Sequence, residues 1–119
     1  GVVRKITKKK GVDVVFEHVG ADTWAGSMLC MKRGARLVTC GSTSGVSTNM
    51  NLMQLFQQQL KIFGSFGCRM ENMENAMLKM ASGIVHPVID TEVDFDGIPE
   101  ALARMESRNV FGKIILRVG

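Results

Sequence analysis

The sequence has 119 residues, of which 45% are hydrophobic, and it carries a formal net charge of +4 at pH 7. A chain of this length buries about two thirds of the surface that its unfolded form exposes, and this composition argues against disorder. No apolar run approaches the roughly 18 residues that cross a bilayer, and no secretory signal is evident. We therefore expect a folded chain with no membrane partner.

The positive charge is concentrated at one end of the chain. Five basic residues lie in the first ten positions, and the remainder carries ten basic and 11 acidic residues. A nucleic-acid reader usually combines its basic patch with aromatic residues or a groove-entering helix, but this sequence has no Tyr and one Trp. The basic run is therefore interpreted as a solvated helix end, and no nucleic-acid partner is expected.

The cysteine and histidine spacing does not predict a metal site. Cys30, Cys40 and Cys68 form no C-x-x-C pair, and His18 and His86 lie at no ligand spacing from them. We expect three reduced thiols in or near a core, no metal ligands in this chain, and a reducing cytoplasm as its location.

The first half of the sequence alternates between predicted strands and helices. A strand is predicted at 13–18, and a helix with Asp22 as its N-cap follows and ends at Gly34. Trp24, Met28 and Met31 share its apolar face. The next elements are a strand at 35–41, a helix capped by Asn51 with an apolar stripe of Leu52, Leu55 and Phe56, and a strand at 61–67.

The second half begins with a methionine-rich helix. Met73, Met77 and Met80 share one face of it, which we interpret as core filler, and Gly83 ends it. An extended segment at 84–95, a helix with Pro99 in its first turn and a closing strand at 112–118 complete the prediction.

Strands that alternate with helices predict parallel pairing, because antiparallel hairpins would need short turns. The strands at 13–18 and 35–40 are apolar throughout, as expected where helices cover both faces. The predicted fold class is α/β, part of a doubly wound parallel, Rossmann-like sheet. Ligands of such sheets bind outside the carboxyl ends of the strands. Three glycine-marked ends, at 18–20, 40–45 and 63–67, are therefore expected to line one crevice.

Four segments then carry a family resemblance. In order and spacing, GVDVVFEHVG, GARLVTCGSTSG, IFGSFG and RNVFGKIIL resemble the C-terminal part of the medium-chain dehydrogenase/reductase superfamily, the zinc-type alcohol dehydrogenases and related quinone oxidoreductases. The resemblance covers essentially the whole chain. It implies that 1–83 is the second half of a nucleotide-binding domain and that 84–119 is a C-terminal helix and strand returning to the catalytic domain.

The sequence also departs from the family pattern. It lacks the glycine-rich phosphate loop, the acid that reads the adenosine ribose, and every zinc ligand, all of which lie N-terminal to the matched region in the family. We therefore expect this chain to be a fragment of a longer enzyme and to be inactive alone. NAD or NADP is the expected cofactor, with zinc possible only in the complete protein.

The resemblance implies a set of cofactor contacts, most of them through the main chain. The strand end His18, Val19 and Gly20 would lie against the cofactor, with Val19 on the adenosine or ribose side. Cys40, Gly41 and Ser42 would lie nearer the nicotinamide, and Phe63, Gly64 and Ser65 would contact its carboxamide. Lys113, with Arg108 as the alternative, would reach the pyrophosphate. No catalytic residue is assigned, and Glu17 and His18 are interpreted as polar groups at the crevice rim that point to opposite faces.

The function this implies is oxidoreduction of a small-molecule alcohol, aldehyde, quinone or enone. Two alternatives stay open: a fragment of a zinc-free quinone or enone reductase, and a nucleotide-binding or interaction module without redox chemistry. The strand at 61–66 is expected to be a sheet edge that pairs with a second copy to form a homodimer.

Overall fold

The computed structural model describes all residues from Gly1 to Gly119. The chain divides into two compact units, Gly1–Gly67 and Cys68–Gly119. No helix is both long enough and apolar enough to span a membrane. The predicted division into a nucleotide-binding part at 1–83 and a catalytic-domain part at 84–119 stays a prediction.

The first unit contains three helices and three strands. In chain order they are α1 (Val2–Ile6), β1 (Val12–Glu17), α2 (Ala21–Cys30), β2 (Met31–Thr39), α3 (Leu52–Gln57) and β3 (Lys61–Gly64). The strands form one sheet in the order β1-β2-β3, and both pairs are parallel. The predicted α/β class with parallel pairing is confirmed.

The register brings the three strand ends to one edge of the sheet. Glu17 at the end of β1 pairs with Thr39 at the end of β2, and Thr39 pairs with Gly64 at the end of β3. The segments that follow the strands therefore start side by side, as the sequence predicted.

One face of this sheet holds the hydrophobic core. Trp24 and Met28 of α2 are buried, as predicted from their helical spacing. They form the core with residues of β2 and its surroundings, namely Met31, Ala35, Leu37 and Leu60. Leu37 is fully inaccessible, because it lies on the central strand beneath α2.

The other face of β1 is open. Val14 and Phe16 are 50% and 69% exposed, so the prediction that helices cover both faces of this strand is wrong for this chain. Side chains alternate along a strand, and α2 packs on one side only.

Helix α2 differs from its prediction at both ends. Its N-cap is Gly20, with no side-chain cap, and Asp22 lies in the first turn instead. The helix ends at Cys30, and β2 begins at once with Met31 and runs through Gly34. Gly34 has a φ of 76°, so it marks an irregularity inside the strand rather than the helix end.

Helix α3 has the predicted cap. The Asn51 side chain accepts a hydrogen bond from the backbone N–H of Gln54 at 3.0 Å. Its apolar stripe is only partly used, because Leu55 packs against the core while Leu52 and Phe56 are exposed.

The second unit contains two helices and two strands. They are α4 (Met70–Ala81), β4 (Ile89–Val93), α5 (Ile98–Glu106), which follows a 3₁₀ turn at Phe95–Gly97, and β5 (Lys113–Leu116). Strands β4 and β5 pair in parallel. The carboxylate of Asp90 binds the Arg104 guanidinium at 2.6 Å and the backbone N–H of Phe111 at 3.0 Å, which ties β4 to α5 and to the segment before β5.

Two sequence interpretations about burial are wrong in this structure. The methionine face of α4 is exposed rather than core, with Met73, Met77 and Met80 between 42% and 58% accessible. The three cysteines are unpaired, but Cys40 and Cys68 are exposed and Cys30 is only partly buried. Periodicity identifies a helix face, but it does not say whether a partner covers that face.

Candidate functional site

A crevice opens at the carboxyl ends of β2 and β3. It has a volume of about 480 Å³ and is lined by Thr39, Cys40, Gly41, Ser42, Gly64, Ser65 and Phe66. Five of these residues belong to the set predicted from sequence, and Thr39 and Phe66 are additions. Phe66 lies within the predicted 63–67 segment but was given no cofactor contact there, and its ring is fully exposed.

The remaining predicted residues lie around this crevice or elsewhere. His18, Val19 and Gly20 form the turn after β1 and contact the 40–45 segment, but they do not line the crevice. The expectation that all three strand ends line one crevice is therefore wrong for 18–20, because the backbone of this turn packs against the 40–45 segment. Phe63 lies within β3, and Lys113 begins β5 in the second unit. Their cofactor contacts stay predictions.

The turn after β1 and the segment after β2 meet backbone to backbone. The carbonyl oxygen of Val19 accepts from the N–H of Ser44 at 2.7 Å and from its hydroxyl at 2.9 Å. A Cβ added to Gly41 would lie 2.6 Å from the carbonyl oxygen of His18, and one added to Gly20 would lie 2.7 Å from that of Gly45. Glycine is therefore required at both positions by close approach.

Replacing Gly41 by alanine is expected to destabilise the first unit by about 1–3 kcal/mol, because the backbone must move to relieve the overlap. Gly26 in α2 is the matched control, since a Cβ there meets nothing within 4 Å. Its replacement by alanine is expected to stabilise the helix by roughly 0.5–1 kcal/mol. Urea unfolding of both variants measures the difference, and equal effects at the two glycines would refute the close-approach argument.

Glu17 lies beneath the turn rather than at the crevice rim. It is only 3% exposed, so the rim interpretation is wrong for this residue, whereas His18 beside it is exposed. One carboxylate oxygen accepts from the N–H groups of Val19 at 2.8 Å and Gly20 at 3.1 Å and from the Thr23 hydroxyl at 2.8 Å. The other accepts from the Ser27 hydroxyl at 2.5 Å.

These four hydrogen bonds set the charge state of Glu17. Burial alone would raise the pKa of its carboxyl group, but the hydrogen bonds from Ser27, Thr23, Val19 and Gly20 outweigh burial and lower the pKa to about 2. Glu17 is therefore a carboxylate at neutral pH. It has no proton to give at that pH, and both of its oxygens already accept hydrogen bonds from the chain, which argues against a role in acid–base catalysis.

Every backbone N–H group from Val19 to Asp22, at the N-terminus of α2, has a hydrogen-bond acceptor within the chain. The N–H groups of Val19 and Gly20 bind Glu17, that of Ala21 donates to the carbonyl oxygen of Gly45 at 3.3 Å, and that of Asp22 donates to the Ser44 hydroxyl at 3.0 Å. Helix N-termini often receive phosphate groups through such donors. Here a carboxylate of the chain itself fills that position, so this helix end has no donor left for a ligand.

The crevice itself offers main-chain groups and small polar side chains. The backbone N–H groups of Gly41 and Ser42 have no hydrogen-bond partner within the chain. No Lys or Arg lines the crevice. It therefore suits a planar amide-bearing group better than a pyrophosphate, because uncharged N–H groups pair with a carboxamide while a pyrophosphate needs cations or a free helix end.

A larger groove lies away from the strand ends. It measures about 620 Å³ and lies between α1, β1 and α2. Half of its lining residues belong to α2, and the others come from β1 (Val12, Val14 and Val15) and from the first four residues of the chain. We assign the candidate site to the smaller crevice, because the groove lacks the convergent main-chain groups that orient a ligand.

No group of three or more His, Cys, Asp or Glu side chains is placed so that it could hold a metal ion. Zinc therefore has no donor set among these residues.

Fold and site together define an α/β chain with a crevice at the carboxyl ends of a parallel sheet. The family model described as zinc-binding dehydrogenase matches residues 1–116. The chain therefore belongs to the zinc-binding dehydrogenase family, and the resemblance drawn from the four sequence segments is confirmed.

Individual relatives agree with this assignment. The chain is 30% identical over 87 residues to a crotonyl-CoA reductase of Streptomyces collinus, an alignment that covers 73% of this chain and 20% of the relative. It is 43% identical over 56 residues to a quinone oxidoreductase of Salmonella typhimurium, covering 47% and 17% of the two chains. The crystal structure of an NAD-dependent alcohol dehydrogenase superposes with a TM-score of 0.85 at 30% identity, over 99% of this chain and 34% of that one. The chain thus spans between about a sixth and a third of the length of these relatives.

Proposed function

We propose that this chain forms the nicotinamide-facing part of the cofactor site in an NAD(P)-dependent oxidoreductase. The observation that carries the proposal is the crevice at the aligned ends of β2 and β3, with its unpaired N–H groups at Gly41 and Ser42. When bound, the nicotinamide supplies the hydride chemistry, and the chain's part is to orient its carboxamide and shield one face.

The crevice residues have distinct parts in this proposal. The main-chain groups at Gly41, Ser42 and Ser65 bind the carboxamide, and the exposed ring of Phe66 packs at the mouth of the crevice. These main-chain contacts do not depend on side-chain identity. Cys40 lines the crevice, and its thiol has no chemical role in this proposal. The turn at 18–20 supports the crevice wall, and Lys113 is proposed to reach the pyrophosphate in the complete protein.

The substrate classes proposed for the complete protein are alcohols and aldehydes or quinones and enones. The relatives named above include a quinone oxidoreductase and an NAD-dependent alcohol dehydrogenase. No step of the proposal passes through zinc, because the residues of this chain provide no ligand set.

A nuclear magnetic resonance titration of the ¹⁵N-labelled 119-residue chain tests the proposed function. Millimolar NADH, NADPH and nicotinamide mononucleotide are expected to shift the amide signals of 40–42 and 64–66. Adenosine monophosphate, which lacks the nicotinamide, is the matched control and is expected to leave these signals unchanged. Equal shifts with adenosine monophosphate, or shifts confined to other segments, would refute the proposal.

We also propose that β3 mediates homodimer formation. It is an edge strand of the three-stranded sheet. The Ser65 N–H donates to the carbonyl oxygen of Thr39 at 2.9 Å, and backbone groups alternate in direction along a strand. Ile62, three residues earlier, therefore directs its N–H to the free edge, where a second copy of β3 can accept it.

Ile62→Pro is expected to give a monomer in light scattering, because proline removes that edge donor while the bonds to β2 remain. Ile62→Ala, which loses side-chain packing but keeps the N–H, is expected to stay dimeric. Val14→Pro provides a second control, since Val14 directs its N–H to the opposite edge of the sheet. A dimeric Ile62→Pro variant, or a wild-type chain that is monomeric at high concentration, contradicts the prediction.

A further inference from the structure

The turn after β1 and the loop after β2, which it supports behind the crevice, have no regular secondary structure of their own. Residues 18–20 and the 42–45 loop lie beyond the ends of β1 and β2 and have no strand ladder to hold them. Side-chain and backbone contacts must therefore fix their position. Val19 is central, because its carbonyl oxygen receives both hydrogen bonds from Ser44.

Val19 is itself held from below by Glu17. The Glu17 carboxylate accepts the N–H of Val19 at 2.8 Å and that of Gly20 at 3.1 Å. The same carboxylate is anchored to α2 through the hydroxyls of Thr23 and Ser27. A continuous chain of hydrogen bonds thus runs from α2 through Glu17 and Val19 to Ser44 in the 42–45 loop.

We infer that Glu17 is a positioning residue that fixes the wall of the crevice by occupying the N-terminus of α2 as a built-in anion. A negative charge is stabilised at a helix N-terminus, and Glu17 supplies it from the adjoining strand. Because the carboxylate takes the donors of Val19 and Gly20, the turn keeps one conformation. The Val19 carbonyl oxygen is thereby presented to Ser44, and Gly41 is held against His18.

The geometry distinguishes this role from general support of the fold. The hydrophobic core around Leu37 does not include Glu17, and the parallel ladder of β1 and β2 exists without its side chain. Loss of Glu17 therefore frees the turn and the 42–45 loop first, and the strands afterwards. The inference rests on the proposed function only for the identity of the ligand that the crevice receives.

Amide hydrogen exchange on the ligand-free 119-residue chain tests the positioning role of Glu17. The reporters are the N–H groups of Ser44 and Ala21, which bond across the turn and loop, and the reference is the N–H of Leu37 in the core strand. In Glu17→Gln, exchange at Ser44 and Ala21 is expected to rise about tenfold, which corresponds to about 1.4 kcal/mol. The core variant Leu60→Ala is the comparison: it is expected to speed exchange at Leu37, which opens with the core, and to leave Ser44 and Ala21 unchanged, because these two groups open with the turn alone. In Glu17→Ala the rise is expected to be larger, because no acceptor remains.

Ser27→Ala keeps the experiment decisive if the Glu17 variants do not fold. It removes one of the four donors and leaves the three bonds of the other carboxylate oxygen. A smaller rise at the same two reporters is expected. Exchange at Ser44 and Ala21 that rises together with Leu37 in Leu60→Ala, or no rise at these two reporters in any Glu17 or Ser27 variant, overturns the inference. Because no cofactor is present, these outcomes are independent of the nucleotide titration that tests the proposed function.

Discussion

Glu17→Ala is expected to destabilise the first unit by roughly 3 kcal/mol or more, because the buried donor of Gly20 and the partly buried donors of Val19, Thr23 and Ser27 lose a charged acceptor. Leaving a single buried donor unsatisfied costs about 1–3 kcal/mol. Denaturant unfolding at neutral pH, followed by the fluorescence of Trp24 in the first unit, measures the loss.

Glu17→Gln is the matched variant that removes the negative charge of Glu17 and keeps the shape of its side chain. Its amide oxygen can take the three hydrogen bonds from Val19, Gly20 and Thr23, while its NH₂ group faces the Ser27 hydroxyl, which can turn to accept. The expected loss is about 1–2 kcal/mol, the difference between charged and neutral hydrogen bonds. A Glu17→Gln variant as unstable as Glu17→Ala would show that the charge, and not the set of acceptors, dominates.

The low pKa of Glu17 also predicts that the free energy of unfolding of this unit decreases at acid pH. The pKa of Glu17 falls from 4.5 to about 2 in the folded chain. A group with a lowered pKa contributes its full stabilisation above its unfolded pKa, and that contribution is lost as pH falls through the folded value. The free energy of unfolding should therefore decrease from about pH 4.5 towards pH 2, and Glu17→Gln should lack this part of the decrease.

The second unit also contains a carboxyl group with a lowered pKa, and a control must distinguish its effect from that of Glu17. The backbone N–H of Phe111 and the Arg104 guanidinium lower the pKa of Asp90. Its contribution likewise weakens as pH falls, but it reports on β4 and α5. Asp90→Asn is expected to leave the Trp24 signal of the first unit unchanged across the acid range. If Asp90→Asn removed the acid-dependent decrease in stability that Trp24 reports, the assignment of this decrease to Glu17 would be wrong.

The isolated chain is expected to bind NADH and NADPH with dissociation constants weaker than about 10 µM, since micromolar binding needs about 8 kcal/mol net. The N-terminal donors of α2 are all paired, and no cation lines the crevice. What remains is a few main-chain hydrogen bonds, each worth about 0.5–1.5 kcal/mol. Ordering a flexible dinucleotide costs several kcal/mol or more.

Titration calorimetry decides this second prediction. Nicotinamide mononucleotide is the matched ligand, because it keeps the carboxamide and loses the adenosine half. It is expected to bind within a few-fold of NADH, since the crevice contacts only the nicotinamide end. A dissociation constant below about 10 µM for either dinucleotide would show that the chain holds the pyrophosphate by itself. No dehydrogenase activity is expected from the chain alone.

The strand ends show how far sequence patterns reach. The apolar runs at 13–18 and 35–40 and the glycines behind them predicted parallel strands whose ends meet, and the register confirms this. Local signals also located the Asn51 cap and the buried pair of Trp24 and Met28. These features depend on residues close in sequence, so composition and periodicity are sufficient to find them.

The site illustrates what lies beyond such patterns. Thr23 and Ser27 follow Glu17 by six and ten positions, and nothing in that spacing shows that their hydroxyls turn back onto the carboxylate. One hint was present in the sequence: an acid ends an apolar strand, and the next helix carries two hydroxyls at helical spacing. Only the packing of α2 against β1 brings these hydroxyls within hydrogen-bond distance of the Glu17 carboxylate.

The sequence by itself determined the α/β class, the parallel pairing of the strands, the family and two of the three segments predicted to line the crevice, because each depends on local periodicity or on a linear motif. The tertiary structure decided that α2 ends at Cys30, that the methionine face of α4 is exposed, and that Glu17 is buried and not at the rim. Burial and pairing depend on which surfaces meet. That outcome is set by contacts between residues distant in the chain, which no local pattern encodes.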